Sequence, residues 1–201
     1  MNMISPLKSV TRGAVLSVAC GILLLAVFRV VRAIVLPELP NFSPIAAVAF
    51  CGGLFLPGRM AWIVPLTALL VSDVLLSLFL GYPIVGGWQI VSWLAIAAIV
   101  GIGRLMARRD FSTFGFFSAV LGSGVLFYLV TNSAAWLMNP AYPSGLGGLV
   151  MSLTTGLPGF PPSWVFLRNS LASDLVFSGL LLGVWVLARR GALRQRTCDA
   201  V

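Results

Sequence analysis

The chain has 201 residues, of which 59% are apolar and only 9% charged, with a mean hydropathy of +1.04. A soluble domain carries about 25% charged residues and a disordered chain is far poorer in apolar ones, so the composition excludes both and leaves an integral membrane protein. The 13 basic residues against 5 acidic ones lie mainly between and beyond the apolar runs, as topology signals do; without a basic stripe of interleaved aromatics, they do not point to nucleic acid.

The basic start of the chain resembles the n-region of a signal peptide, but the apolar run behind it is too long and no A-x-A site ends it. A retained first helix is therefore expected at 13–36, closed by Pro37 and Pro40, since proline cannot continue a helix. The second apolar run, 43–56, is short enough to suggest a re-entrant segment. Further runs follow at 60–80, 86–106 and 114–137, then a Gly- and Pro-rich stretch at 139–164, and a last span at 165–188 followed by RRGALRQR.

Basic residues arbitrate the count. With six spans and the N-terminus inside, Lys8, Arg12, Arg59, Arg104, Arg108, Arg109, Arg189, Arg190, Arg194 and Arg196 face the cytoplasm, against Arg29, Arg32 and Arg168 in or near the outer half. A re-entrant second run would scatter these clusters to both sides. The expected fold is one all-α membrane domain over residues 1–201: a bundle of six transmembrane helices with both termini cytoplasmic. The short second span would then lie steeply or in thinned bilayer.

Charges inside hydrocarbon cost about 2.5–3.5 kcal/mol each, so each asks for a reason. At ~1.5 Å per residue, Asp73 and Asp174 fall roughly 4 Å to the outer side of their helix midpoints, Arg29 and Arg32 roughly 7 and 11 Å, and Asn132, Arg168 and Asn169 about 10–13 Å. Four helices thus put their polar groups in one outer slab. Arg29 and Arg32 share a helix face and repel unless Asp73, Asp174, Glu38 or an anionic ligand lies between them. Interhelical bracing, ligand contact and snorkelling to the interface all remain open for these groups.

Stretch 139–164 carries uncharged aromatics Tyr142, Phe160 and Trp164, and loops of this length are usually functional or disordered. Its apolar middle argues against disorder; a lid over an outward pocket is the expectation, with a passive interfacial segment as the alternative. Gly13, Ser17 and Gly21, and again Gly179 with Gly183, recur at four-residue spacing. Such faces allow close helix approach, either within the bundle or against another membrane subunit. With no histidine, Ser-His-Asp and Cys-His chemistry and His-ligated metals are absent. Cys20, Cys51 and Cys198 are scattered and odd in number, so they suggest neither a disulfide framework nor a CxxC site. No catalytic set, cofactor or metal is expected.

Several segments resemble an uncharacterised bacterial membrane family assigned to transport: LPELPNFSPIAAVAFCGGLFLP (36–57), PLTALLVSDVLL (65–76), GSGVLFYLVTNSAAWL (122–137), YPSGLGGLV (142–150) and FLRNSLASDLVFSGLLLG (166–183). In architecture that family is similar to the substrate-binding S components of energy-coupling factor transporters. The resemblance implies six helices, an outward pocket closed by loops, and a small-residue face on the first helix that meets a membrane coupling subunit with ATPases. Gly13, Ser17 and Gly21 would take that role, where S components typically carry alanines. PGFPPSW (158–164) is a further departure, longer than expected before FLRNSL.

The expected function is uptake of a small water-soluble nutrient across a bacterial inner membrane. The pocket would comprise Arg29, Arg32, Asp73, Asn132, Trp136, Arg168, Asn169 and Asp174, with the arginines holding a carboxylate or phosphate. No GxxxxGK[ST] motif is present, so ATP hydrolysis must come from a partner. The alternatives are an accessory or scaffold subunit, a solitary channel, and an intramembrane enzyme in which Asp73 and Asp174 share a proton.

Overall fold

The computed structural model describes residues 3–4, 12–36, 38–81 and 86–198, with side chains from 12 to 190 within those ranges. Lys8, Pro37, Tyr82 and Pro83 lie outside the described residues, as do the side chains of Arg194, Arg196 and Cys198. The described chain is helical apart from one short strand pair: α1 (Arg12–Val35), α2 (Ile45–Phe55), α3 (Met60–Leu80), α4 (Gly87–Met106), α5 (Thr113–Met138), α6 (Leu146–Leu153) and α7 (Ser163–Cys198). Strands β1 (Met3–Ile4) and β2 (Phe111–Ser112) pair antiparallel, Met3 with Ser112 and Ile4 with Phe111. This pairing ties the start of the chain to the α4–α5 connection.

Five helices, α1, α3, α4, α5 and α7, are long and apolar enough to cross a membrane. They present large apolar side chains outward, Leu24 at 70% exposure and Leu78 at 73% among them, as helices surrounded by lipid do. This is a membrane protein.

Helix α2 departs from expectation. Its 11 residues rise about 16 Å, half of a ~30 Å hydrocarbon core, yet the helix is neither exposed to lipid nor at an edge. Every residue from Ala46 to Phe55 is buried, and α1, α3, α4, α5 and α7 all pack around it. A helix encased by others need not match the bilayer's thickness, because its ends meet protein rather than lipid. Arg104 Nη1 of α4 donates to the carbonyl of Leu56 at 3.1 Å, satisfying one of the acceptors a helix C-terminus leaves open.

Two glycines bring α2 and α4 into backbone contact. A Cβ on Gly53 would lie 2.2 Å from the Val100 carbonyl oxygen, and one on Gly103 would lie 2.3 Å from that of Phe50. Beyond this crossing the core is aromatic. Phe55 stacks on Trp185 at 5.0 Å between ring centroids, Phe116 lies edge-on to Phe50 at 5.8 Å, and Phe111 stacks on Phe116 at 6.2 Å. These rings fill the end of the bundle where α2 finishes and α5 begins.

Two further differences concern lengths. Stretch 139–164, read as a loop, contains α6 and is pinned to α5: Tyr128 Oη donates to the Leu153 carbonyl at 2.7 Å, and Trp136 Nε1 donates to that of Pro143 at 3.1 Å. The last helix runs ten residues past the expected Ala188, to Cys198. Residues Arg, Ala, Leu and Gln carry it on, since all are good helix formers in water as well as in lipid.

Candidate functional site

At the opposite end, where α1, α3 and α5 finish and α2, α4 and α7 begin, the helices part around a cavity of about 470 Å³. This lies within the roughly 300–1,000 Å³ of small-molecule sites. Each long helix contributes polar or aromatic side chains to its wall, and so does stretch 139–163 through Asn139, Tyr142, Phe160 and Ser163.

Arg29 of α1 and Asp73 of α3 meet in that wall, with Nη1 2.6 Å from Oδ1. Arg29 also donates to Ser72 Oγ. The second Asp73 oxygen accepts from Trp93 Nε1 at 2.8 Å and from Gln89 Nε2 at 3.3 Å, both on α4. The pair is therefore satisfied on every side and braces three helices, as a desolvated ion pair requires if it is not to destabilise the fold. The repulsion expected between Arg29 and Arg32 is relieved without a ligand, since Arg29 has Asp73 and Arg32 Nη1 turns away to the Leu39 carbonyl at 2.9 Å.

Asp174 of α7 is placed differently. It is 1% exposed and one oxygen accepts from the backbone N–H of Ala47 at 3.1 Å. Ala47 belongs to the first turn of α2, which has no side-chain cap from its own neighbours. Asp174 thus caps that turn from across the bundle, where the helix's partial positive charge favours an anion. Its other oxygen, Oδ2, has no hydrogen-bond partner in the described structure and lies against Gly124, whose absent Cβ would sit 2.7 Å from it. Ser43 Oγ, also in the cavity wall, is buried without a partner as well.

Of the eight expected pocket residues, Arg29, Asp73, Asn132 and Asp174 line this cavity. The other four do not. Arg32 holds the turn after α1, and Trp136 holds stretch 139–164. Arg168 is exposed, lies over the Trp164 ring at 5.4 Å and donates to Asn169 Oδ1 at 3.2 Å. Asn169 in turn donates to the Pro40 carbonyl at 2.9 Å, fastening the α1–α2 connection to α7. Asp73 and Asp174 share the cavity, but no hydrogen bond joins them among the described residues.

Sequence reasoning missed Trp88, Gln89, Trp93 and Thr131, all in the wall. Uncharged residues in an apolar helix give little signal, although Gln89 and Trp93 share one α4 face by their four-residue spacing. Of the small-residue face on α1, Gly21 is already covered by Leu181 of α7, 3.0 Å from a built Cβ, whereas Gly13 has nothing within 4 Å. Among the described residues no cluster of Cys, Asp and Glu could hold a metal.

The chain belongs to a family of unknown function, DUF6580, whose model matches residues 10–196. No curated protein matches it, and neither does any solved structure.

Proposed function

We propose that this protein is a substrate-binding membrane subunit, of the S-component type, that takes up a small water-soluble nutrient across a bacterial inner membrane. The observation that carries the reading is the cavity of about 470 Å³ between helix ends, with polar groups at its wall and a packed aromatic core beneath it. An open end and a plugged end suit a subunit that receives a ligand from one side and releases it only on rearrangement. The same plug leaves no hydrophilic path for a resting channel.

In this reading the chain crosses the membrane six times, α2 included, and keeps both termini in the cytoplasm. The pairing of β1 with the α4–α5 connection supports a shared side for those segments, and the basic residues of that end, Arg59, Arg104, Arg108, Arg109 and Arg190, support that side being cytoplasmic. Stretch 139–164 acts as the lid, and closing it excludes water from the ligand. Energy for release comes from an ATPase-bearing membrane partner, with the open Gly13 end of α1 available to meet it.

Native mass spectrometry on detergent-purified protein tests the reading. A stoichiometric small-molecule adduct is expected, released on unfolding. An apo mass, together with no ATPase-bearing subunit on gentle co-purification from the source membrane, would overturn it. Accessibility of a single cysteine at Gly145 from outside, and of native Cys198 from inside, checks the orientation.

A further inference from the structure

The cavity's charge balance indicates what it binds. Among the described residues its wall holds one basic side chain, Arg29, and two acidic ones, Asp73 and Asp174. Arg29 and Asp73 neutralise each other, which leaves the Asp174 carboxylate without a charged side-chain partner in the wall, facing only the partial positive end of α2. A buried carboxylate without a counter-charge is costly, and the N–H of Ala47 serves only one of its oxygens. The same cavity wall carries aromatic rings, Trp88, Trp93, Phe127, Tyr142, Phe160 and Phe166, and electron-rich ring faces attract cations. Arg32 and Arg168, the arginines expected to hold an anion, are engaged outside this wall.

We infer that the cavity binds a small organic cation, an amine or quaternary ammonium compound, with Asp174 as its counter-charge and the aromatic wall around its body. The inference rests on the reading of the cavity as a ligand site and names the class of ligand. It replaces the anion suggested by counting arginines in the sequence.

Charge-matched probes test it on the purified full chain, by thermal shift and by titration calorimetry. Tryptamine, phenethylamine and choline are the cations; indole-3-acetate and phenylacetate are the anions; 3-methylindole is neutral. At least one cation is expected to raise the melting temperature in a concentration-dependent way, and to bind at least tenfold more tightly than its anionic or neutral counterpart. Asp174→Asn keeps the acceptor for Ala47 and removes the charge, so it is expected to weaken the cation at least tenfold.

If Asp174→Asn does not fold, Gly124→Ala serves instead, because its Cβ would displace Oδ2 from its present seat; a tenfold loss is again expected. Equal or better binding of the anion or the neutral ring overturns the inference while leaving a ligand site in place, as does a folded Asp174→Asn or Gly124→Ala variant that binds the cation unchanged. Binding of no probe, with an apo mass from membranes, overturns both the inference and the reading beneath it.

Discussion

Replacing Gly103 by alanine tests the central packing of the bundle. A Cβ there would sit 2.3 Å from the Phe50 carbonyl oxygen, where ordinary contact begins at 3.4 Å, and both atoms flanking the gap are helix backbone. Neither can rotate aside, so α2 and α4 must part by about 1 Å, the scale of strain that costs typically 1–3 kcal/mol in a packed core. At about 2–4 °C per kcal/mol for a chain of this size, the melting temperature of the detergent-solubilised protein is expected to fall by roughly 2–12 °C. Gly101→Ala, two residues away on the same helix, meets only the tip of Trp62 at 3.7 Å and is expected to stay within about 0.5 kcal/mol, a size typical of harmless substitutions. Gly53→Ala strains the same crossing against Val100, so the double variant is expected to cost much less than the sum of the two, the opening made for one methyl serving the other. Equal melting of Gly103→Ala and Gly101→Ala, or strictly additive losses in the double variant, would refute the backbone contact.

Removing one member of the Arg29–Asp73 pair leaves the other buried without its counter-charge. Asp73→Asn or Arg29→Met is expected to destabilise by about 3 kcal/mol, the lower end of the range for buried pairs because the cavity admits water. The double variant should recover most of that loss in chemical denaturation, and two losses that simply add would contradict the pairing. Tyr128→Phe deletes the hydrogen bond to Leu153 and is expected to cost about 1 kcal/mol, with faster amide exchange in 146–156 and unchanged exchange in α3. Asn169→Ala removes the hydrogen bond from α7 to the Pro40 carbonyl and leaves that of Ser173 to the Ser43 carbonyl, so exchange by mass spectrometry should rise at 38–42 while the aromatic core stays protected.

The span boundaries were legible because membrane helices write their length directly in apolar runs. Residues 60–80 match α3 residue for residue, and the other long spans shift by a residue or two at most ends. The depth arithmetic put Arg29, Asp73, Asn132 and Asp174 in one slab, and all four line one cavity; it put Arg32, Arg168 and Asn169 in the same slab, and these do not line it. What it could not supply was azimuth. Arg32, three residues from Arg29, shares its face on a helical wheel yet engages the turn carbonyl of Leu39, because a long side chain near a helix end reaches whatever acceptor is closest.

Burial of α2 was illegible for a related reason. In lipid, outward-facing and inward-facing positions are both apolar, so α2, buried throughout, lacks the alternation that marks a core face in water. Gly53 and Gly103 were visible as letters, but only the crossing of their helices gives them meaning.

The encased α2 has a consequence for how the chain is made. As it leaves the ribosome, this 11-residue helix is too short to span ~30 Å of hydrocarbon by itself, and the groups that secure it are synthesised later: Arg104 for the Leu56 carbonyl just past its end, Asp174 for its first turn. The second of these arrives 127 residues after Ala47. The seat of α2 is therefore completed only once α7 is made, and a chain cut short before Asp174 would leave the first turn of α2 without its cap.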